Sequence, residues 1–195
     1  MTKKEDVKTT RHTGKTIDTT RHATPFDTGN IPGPKTARAV MPAVSGKILA
    51  RAQRPLLIVG SQIHDKEILE RVVTIGRRGI QIAAAGNAYK SLTDQKELDV
   101  HQVNMHALAA YLCDPSWHGL DKKGNYDLVA FFGITYYYAS QIIATLKNFS
   151  KIKVISIDKY YHPNANISFG NLKNDIFTAA LDEVIAQLPK VKKNF

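Results

Sequence analysis

Four short apolar runs, each closed by a turn or polar residue, constrain this chain more than any other feature. They are Leu56-Leu57-Ile58-Val59 before Gly60, Ile80-Gln81-Ile82-Ala83-Ala84 before Gly86, Asp127-Leu128-Val129-Ala130-Phe131-Phe132 before Gly133, and Lys153-Val154-Ile155-Ser156-Ile157 before Asp158. Near-continuous apolar runs of this length read as strands buried on both faces, which are the strands of parallel sheets. Segments of helical period lie between and around them. The first runs from Pro42, a residue suited to the first turn of a helix, through Val44, Ile48, Leu49 and Ala52, and Arg54-Pro55 ends it. The second starts at Asp65, a good N-cap, and runs through Ile68, Leu69, Val72 and Val73 to Gly76. A third is expected over His101–Leu112, a fourth from Thr135 to Lys147 and a last from Asn174 to Leu188. The order α-β-α-β-α-β-α-β-α predicts an α/β fold, a doubly wound parallel sheet of Rossmann-like type with right-handed crossovers.

That pattern begins at Pro42. Residues 1–41, rich in Thr, Lys, Arg, Pro and Gly, read as an extended N-terminal arm, and residues 42–195 as the Rossmann-like domain. Thr9-Thr10-Arg11-His12 is echoed by Thr19-Thr20-Arg21-His22, too little for a repeat architecture. Phe26 and Ile31 are isolated apolar anchors by which such an arm could lie along a partner.

Composition narrows the function. The formal charge is +10, much of it in the first forty residues and in Lys190-Val191-Lys192-Lys193, and no nucleic-acid-binding motif accompanies it. Solvated basic termini are therefore expected, with no nucleic-acid partner. No apolar run approaches the ~20 residues of a membrane span, and no h-region follows the basic N-terminal residues. With one cysteine, Cys113, the chain cannot build an internal disulfide, a four-cysteine zinc site or an iron–sulfur cluster. No metal on this chain and a cytoplasmic location are the expectations.

Ligands of open α/β sheets bind beyond the carboxyl ends of the strands, at the switch in strand order. The residues there are Gly60, Ser61 and Gln62, then Gly86 and Asn87, then Gly133 and Thr135, then Asp158. Glycines admit close approach, helix N-termini suit phosphate, and a carboxylate at Asp158 could bind ribose hydroxyls. These eight are the candidate cofactor-binding residues. No G-x-G-x-x-G or G-x-x-x-x-G-K-[ST] run is present, and Ser61 lacks a G-x-S-x-G elbow. His101 and His106 do not share the i, i+4 spacing of a metal pair, and His64, His118 and His162 read as surface histidines in loops. Cys113 reads as a buried structural thiol, and Tyr136-Tyr137-Tyr138 as the start of a helix with at least one ring outward. No catalytic constellation emerges.

Several loops are more specific than the strands. Leu112-Cys113-Asp114-Pro115-Ser116-Trp117-His118-Gly119-Leu120-Asp121 with Gly124-Asn125-Tyr126-Asp127, Lys147-Asn148-Phe149-Ser150, and Asn164-Ala165-Asn166-Ile167-Ser168-Phe169-Gly170-Asn171-Leu172 are the clearest. Together with Arg54–Gly60 they resemble the epsilon subunit family of the archaeal acetyl-CoA decarbonylase/synthase (carbon monoxide dehydrogenase) complex. The resemblance runs from about Pro42 to Leu188 and is less clear in the arm.

It implies a fold like the nucleotide-binding middle domain of thiamine-diphosphate enzymes. It also implies a non-catalytic accessory subunit, bound to the carbon monoxide dehydrogenase alpha subunit as α2ε2, in the one-carbon metabolism of methanogens and related archaea. The alpha subunit carries the metal clusters, and FAD is the cofactor implied, through a role in electron transfer. The irregular Trp117 and Tyr160-Tyr161 loops are candidate partner contacts. The alternative is a stand-alone NAD- or FAD-binding domain or an enzyme of sirtuin-like fold, although such enzymes usually carry a four-cysteine zinc module.

Overall fold

A computed structural model describes residues 17–27, 29–30, 33–95 and 97–190. The four apolar runs form the middle of a seven-stranded, wholly parallel sheet. In chain order the strands are β1 (Arg38–Ala39), β2 (Pro55–Val59), β3 (Gln81–Ala85), β4 (Val100–Val103), β5 (Leu128–Phe132), β6 (Lys153–Ser156) and β7 (Ile167–Ser168). Across the sheet the order is β1-β7-β6-β5-β2-β3-β4. The doubly wound Rossmann-like fold expected from the sequence is the one observed.

Alternation along each strand divides the core in two. Leu57 and Val59 of β2 and Leu128, Ala130 and Phe132 of β5 enter one cluster, while Leu56, Ile58, Val129 and Phe131 enter the other. The first is covered by α1 (Pro42–Arg51), α2 (Lys66–Arg77), the short α3 (Ala88–Thr93) and α6 (Asn174–Gln187). The second is covered by α4 (Met105–Cys113) and α5 (Tyr136–Phe149). Each large side chain buried this way contributes roughly 1.5–3 kcal/mol relative to an exposed one.

The helix starts follow their local chemistry. Pro42 opens α1 and needs no N–H partner there. The Asp65 carboxylate accepts from Glu67 N at 2.8 Å and caps α2. Asn104 Oδ1 accepts from His106 N at 3.0 Å and from Ala107 N at 3.2 Å, so α4 begins at Met105.

That cap corrects one expectation. His101 is not helical but lies in β4, an edge strand paired only with β3. Its sequence Val-His-Gln-Val is part exposed, so it lacks the continuous apolar run of a central strand. The two-residue β1 and β7 and the six-residue α3 are further elements that the pattern did not announce.

The described part of the arm is laid down on its own domain. Arg38 and Ala39 pair with Ile167 and Ser168, which makes β1 the edge of the sheet. Upstream, residues 17–24 form a strap. Thr19 is fully buried, its hydroxyl donates to Val40 O, and its carbonyl accepts from Gly170 N at 2.7 Å. Asn171 Nδ2 donates to His22 O at 3.0 Å and to Thr24 O at 2.9 Å. The strap passes so close that a Cβ on Gly170 would stand 1.8 Å from Arg21 O. Phe26 packs on the domain itself, and Ile31 lies outside the described residues.

Candidate functional site

The order of strands reverses direction between β2 and β5. The chain leaves β2 toward β3 and β4, and leaves β5 toward β6 and β7. The crevice rule therefore points to the turns Gly60-Ser61-Gln62 and Gly133-Ile134-Thr135. In the structure these turns are joined. Gly60 N donates to Phe132 O at 2.9 Å and Gln62 N to Gly133 O at 2.8 Å, so the sheet ladder continues past both strands. A Cβ on Gly60 would lie 2.5 Å from Gly133 O and 2.6 Å from Ile134 Cγ1. Gly60 thus serves the approach of backbone to backbone, and Gly133 turns away with φ of +63°. Ile134 is buried and completes a ridge where an open crevice was expected.

Two clefts flank the ridge. The first, of about 280 Å³, lies against Gly60, Ser61, Gly86, Asn104, Thr135 and Tyr138. It adjoins the start of α5, whose N-cap Thr135 makes no side-chain capping bond. The second, of about 190 Å³, lies between Gln62, Asp65, Asp158, Lys159, Tyr160 and Phe177. The sequence-predicted residues are thereby divided. Gly60, Ser61, Gly86 and Thr135 meet at the first cleft, and Gln62, Gly133 and Asp158 at the second. Asn87 directly precedes α3 and stands beside them, exposed.

Asp158 has a different occupation from the ribose contact expected of it. Its Oδ2 accepts from Gly133 N at 2.8 Å and its Oδ1 from Lys159 N at 2.6 Å. The carboxylate is an internal brace between the β5 and β6 turns. Burial pushes its pKa up to about 6, against the pull of the N–H groups of Lys159, Gly133 and Ile134. Both clefts are smaller than the roughly 300–1,000 Å³ of ordinary ligand pockets. The ridge at Gly60 and Ile134 parts the two clefts, so a dinucleotide such as FAD would have to cross it to occupy both. Each cleft has room for a ring or a phosphate group.

An aromatic cluster that the sequence did not disclose sits at the same end of the sheet. Phe26 stacks on Tyr160 at 3.9 Å and meets Tyr136 edge-on at 5.5 Å. Tyr136 stacks on His162 at 4.4 Å, and its hydroxyl donates to Tyr161 O at 2.9 Å while accepting from Phe26 N at 3.2 Å. His162 is not a surface histidine: it is 1% exposed, its Nδ1 has no hydrogen-bond partner, and burial drives its pKa down to about 4. Tyr161 is buried too, with its hydroxyl donating to Ala37 O at 2.6 Å, which removes it as a partner contact. The sequence singled out Phe26, Tyr136 and the Tyr160-Tyr161 loop separately, with nothing to say that they meet.

The Trp117 loop leads from α4 to the start of β5, so it lies at the opposite end of the strands from the clefts. It is wired internally. Arg54 Nη2 reaches Asp121 Oδ1 at 2.6 Å, Arg54 Nε donates to Gly124 O at 3.2 Å, and Asn125 Nδ2 holds Leu112 O and Asp114 O. Half-buried Trp117 stacks on exposed Tyr111 at 5.6 Å. Cys113 is half-buried rather than buried, and the partial burial raises its pKa. Among the described residues no three His, Cys, Asp or Glu converge as metal ligands would.

Residues 19–185 match the family described as CO dehydrogenase beta subunit/acetyl-CoA synthase epsilon subunit. The chain belongs to this epsilon-subunit family. Subunit epsilon of the acetyl-CoA decarbonylase/synthase complex from Methanothrix soehngenii is 44% identical over 181 residues, 90% of this chain and 97% of that one. Subunit epsilon 1 from Methanosarcina barkeri is 44% identical over 88% of this chain and 99% of its own. The Methanothermobacter thermautotrophicus subunit is 35% identical over 84% and 95%. The epsilon-family match begins at Thr19, the buried residue of the strap, rather than at Pro42. Among solved structures, a prephenate dehydrogenase from A. aeolicus in complex with NAD+ superposes with a TM-score of 0.34 and 12% identity, over 70% of this chain and 40% of that chain. A likeness that loose has no bearing on ligand or activity. As an epsilon-family member the chain is a subunit of the acetyl-CoA decarbonylase/synthase enzyme complex. No helix among the described residues is long and apolar enough to cross a membrane.

Proposed function

We propose that the chain is an accessory subunit that docks on and stabilises the large, cluster-bearing carbon monoxide dehydrogenase alpha subunit, in an α2ε2 arrangement, and takes no catalytic step itself. The observation that carries this reading is coverage. The match to epsilon subunits spans 97% and 99% of their own length, so nearly all of those small subunits has its counterpart in this chain. The chemistry of the chain agrees. A single cysteine cannot hold an iron–sulfur cluster, so the clusters of the complex fall to a partner. Co-expression of the full chain with the alpha subunit tests the reading. The two should elute together at both low and high salt; clean separation at every salt concentration would end it.

A second reading, electron exchange with FAD, is favoured by the placement of Gly60, Ser61, Gly86 and Thr135 around one strand-end cleft beside the start of α5. FAD would supply a two-electron acceptor able to take electrons singly. Given the ridge at Gly60 and Ile134, this chain would hold only part of it, with a partner surface supplying the remaining wall. The expected result is flavin fluorescence quenching by the assembled complex and none by the free chain up to high micromolar FAD.

A further inference from the structure

The two helices that cover the second core cluster are almost free of charge. Helix α4 has no Asp, Glu, Lys or Arg, and α5 has only Lys147. Lys147 Nζ is turned to its own chain, where it donates to Lys35 O at 2.6 Å and Ala165 O at 2.8 Å. At the chain's frequency of 23% charged residues, helices of 9 and 14 residues would together carry about five charges. A helix face turned to water ordinarily carries them. On the opposite side of the sheet, α2 has Lys66, Glu67, Glu70, Arg71 and Arg77 in 12 residues.

These charge-poor helices are nonetheless exposed. His106, Ala107, Ala110 and Tyr111 of α4 and Tyr137, Gln141, Asn148 and Phe149 of α5 face outward. Tyr111 is 54% exposed, Tyr137 65% and Phe149 76%. His106 and Tyr138 touch edge-on at 5.2 Å and join the helices into one surface, which Trp117 extends through its stack on Tyr111. Loss of charged residues with gain of aromatic ones marks the core of a protein interface.

We infer that the outward face of α4 and α5 is the docking surface of this subunit, and that it meets an uncharged, largely apolar surface on another subunit of the complex. The inference rests on the accessory-subunit reading and adds the place of contact. A second copy of the chain is the poorer occupant, because two bodies of net charge +10 repel as they approach. A heterologous partner is also what a subunit of a multi-subunit complex requires.

The experiment uses the full chain co-expressed with the other subunits. Ala110→Glu with Gln141→Glu places two charges on the face, at exposed positions where both residues suit a helix. A second pair, Ala110→Lys with Gln141→Lys, reverses the sign, and Glu70→Arg on α2 is the control. Both pairs should lower recovery of the chain with the complex at least tenfold, with the control at the wild-type level and free-chain melting temperatures unchanged. Wild-type recovery of the charged pairs overturns the inference and leaves the accessory reading standing. Weakening by Glu but tightening by Lys overturns it as well, because the partner surface is then acidic. A free-chain dimer that the same substitutions dissociate assigns the face to self-association and overturns it. Failure of the wild-type chain to be recovered overturns the accessory reading, and the inference with it.

Discussion

The two sides of the sheet are built alike on the inside and differently on the outside. Both bury aliphatic and aromatic side chains from the same strands; Phe131 and Phe132, adjacent in β5, each serve one side and are each 1% exposed. Outside, α2 and α6 are tied by charge. Arg71 reaches Asp182 at 2.7 Å, Thr178 O at 3.1 Å and Glu67 O at 2.8 Å. The pair α4 and α5 is joined by ring contacts and aliphatic packing, with its rings left in the open. The interior composition follows from burial, which is common to both sides. The exterior composition follows from what each side faces, and that is where they part.

The largest effects test the claim of equal interiors. Phe131→Ala and Phe132→Ala should each cost about 3–5 kcal/mol in the free chain, read from urea melts, and should agree within about 1 kcal/mol. A much smaller cost at Phe131 would mean that the α4–α5 side is loosely packed until a partner covers it, and the comparison would have to be redrawn.

Next is the buried imidazole of His162, which lies on the α5 side against Tyr136. Its folded pKa of about 4 lies below the 6.5 of a free imidazole. The unfolded chain therefore binds the proton first as pH falls. The stability this neutral imidazole contributes is fully present above 6.5 and is lost as pH drops toward 4, by about 3 kcal/mol. Asp158, raised from 3.8 to about 6, acts with the opposite sign over an overlapping range: the folded chain takes up that proton first, so acid favours folding. In the wild type the two largely offset each other. His162→Phe keeps a stacking ring and removes the loss, so its stability relative to wild type should rise by about 3 kcal/mol between pH 7 and pH 4. Parallel pH profiles for the two proteins would contradict this.

The smallest effect sharpens the charged side. Arg71→Met should destabilise by about 1–2 kcal/mol, since a half-exposed ion pair is worth little and the bonds to the carbonyls of Thr178 and Glu67 supply most of it. Added salt should shrink the carboxylate share. No salt-dependent loss of comparable size is expected from any single substitution on the outward face of α4 and α5.

The central sheet was legible because its signal is local. A strand buried on both faces must be apolar at every position, and Leu56–Val59 or Leu128–Phe132 meet that condition without reference to anything else in the chain. The edges were not legible for the complementary reason. β4 has one neighbour and mixed polarity, and β1 and β7 exist only through each other and β6. At the candidate site, the sequence placed Gly60 and Gly133 correctly at strand ends, but a glycine reports close approach without saying of what. At Gly60 the answer is another backbone, and at Gly133 it is a left-handed turn with the Ile63 side chain against it. Asp158 carried the same ambiguity, because a carboxylate at a strand end reads alike whether it awaits a ribose or braces a turn. His162 was misread because its burial depends on Tyr136, 26 residues earlier in the sequence.

The strap and β1 bear on the order in which the chain is made. Arg38 leaves the ribosome early, yet its pairing partner Ile167 is synthesised 129 residues later, and the Asn171 amide that holds His22 and Thr24 later still. The earliest described segment is thus among the last that can be fastened. A nascent or truncated chain ending before Ile167 keeps an unfastened strap and an open sheet edge at β6, so that segment distinguishes a finished subunit from an unfinished one before any partner has been met.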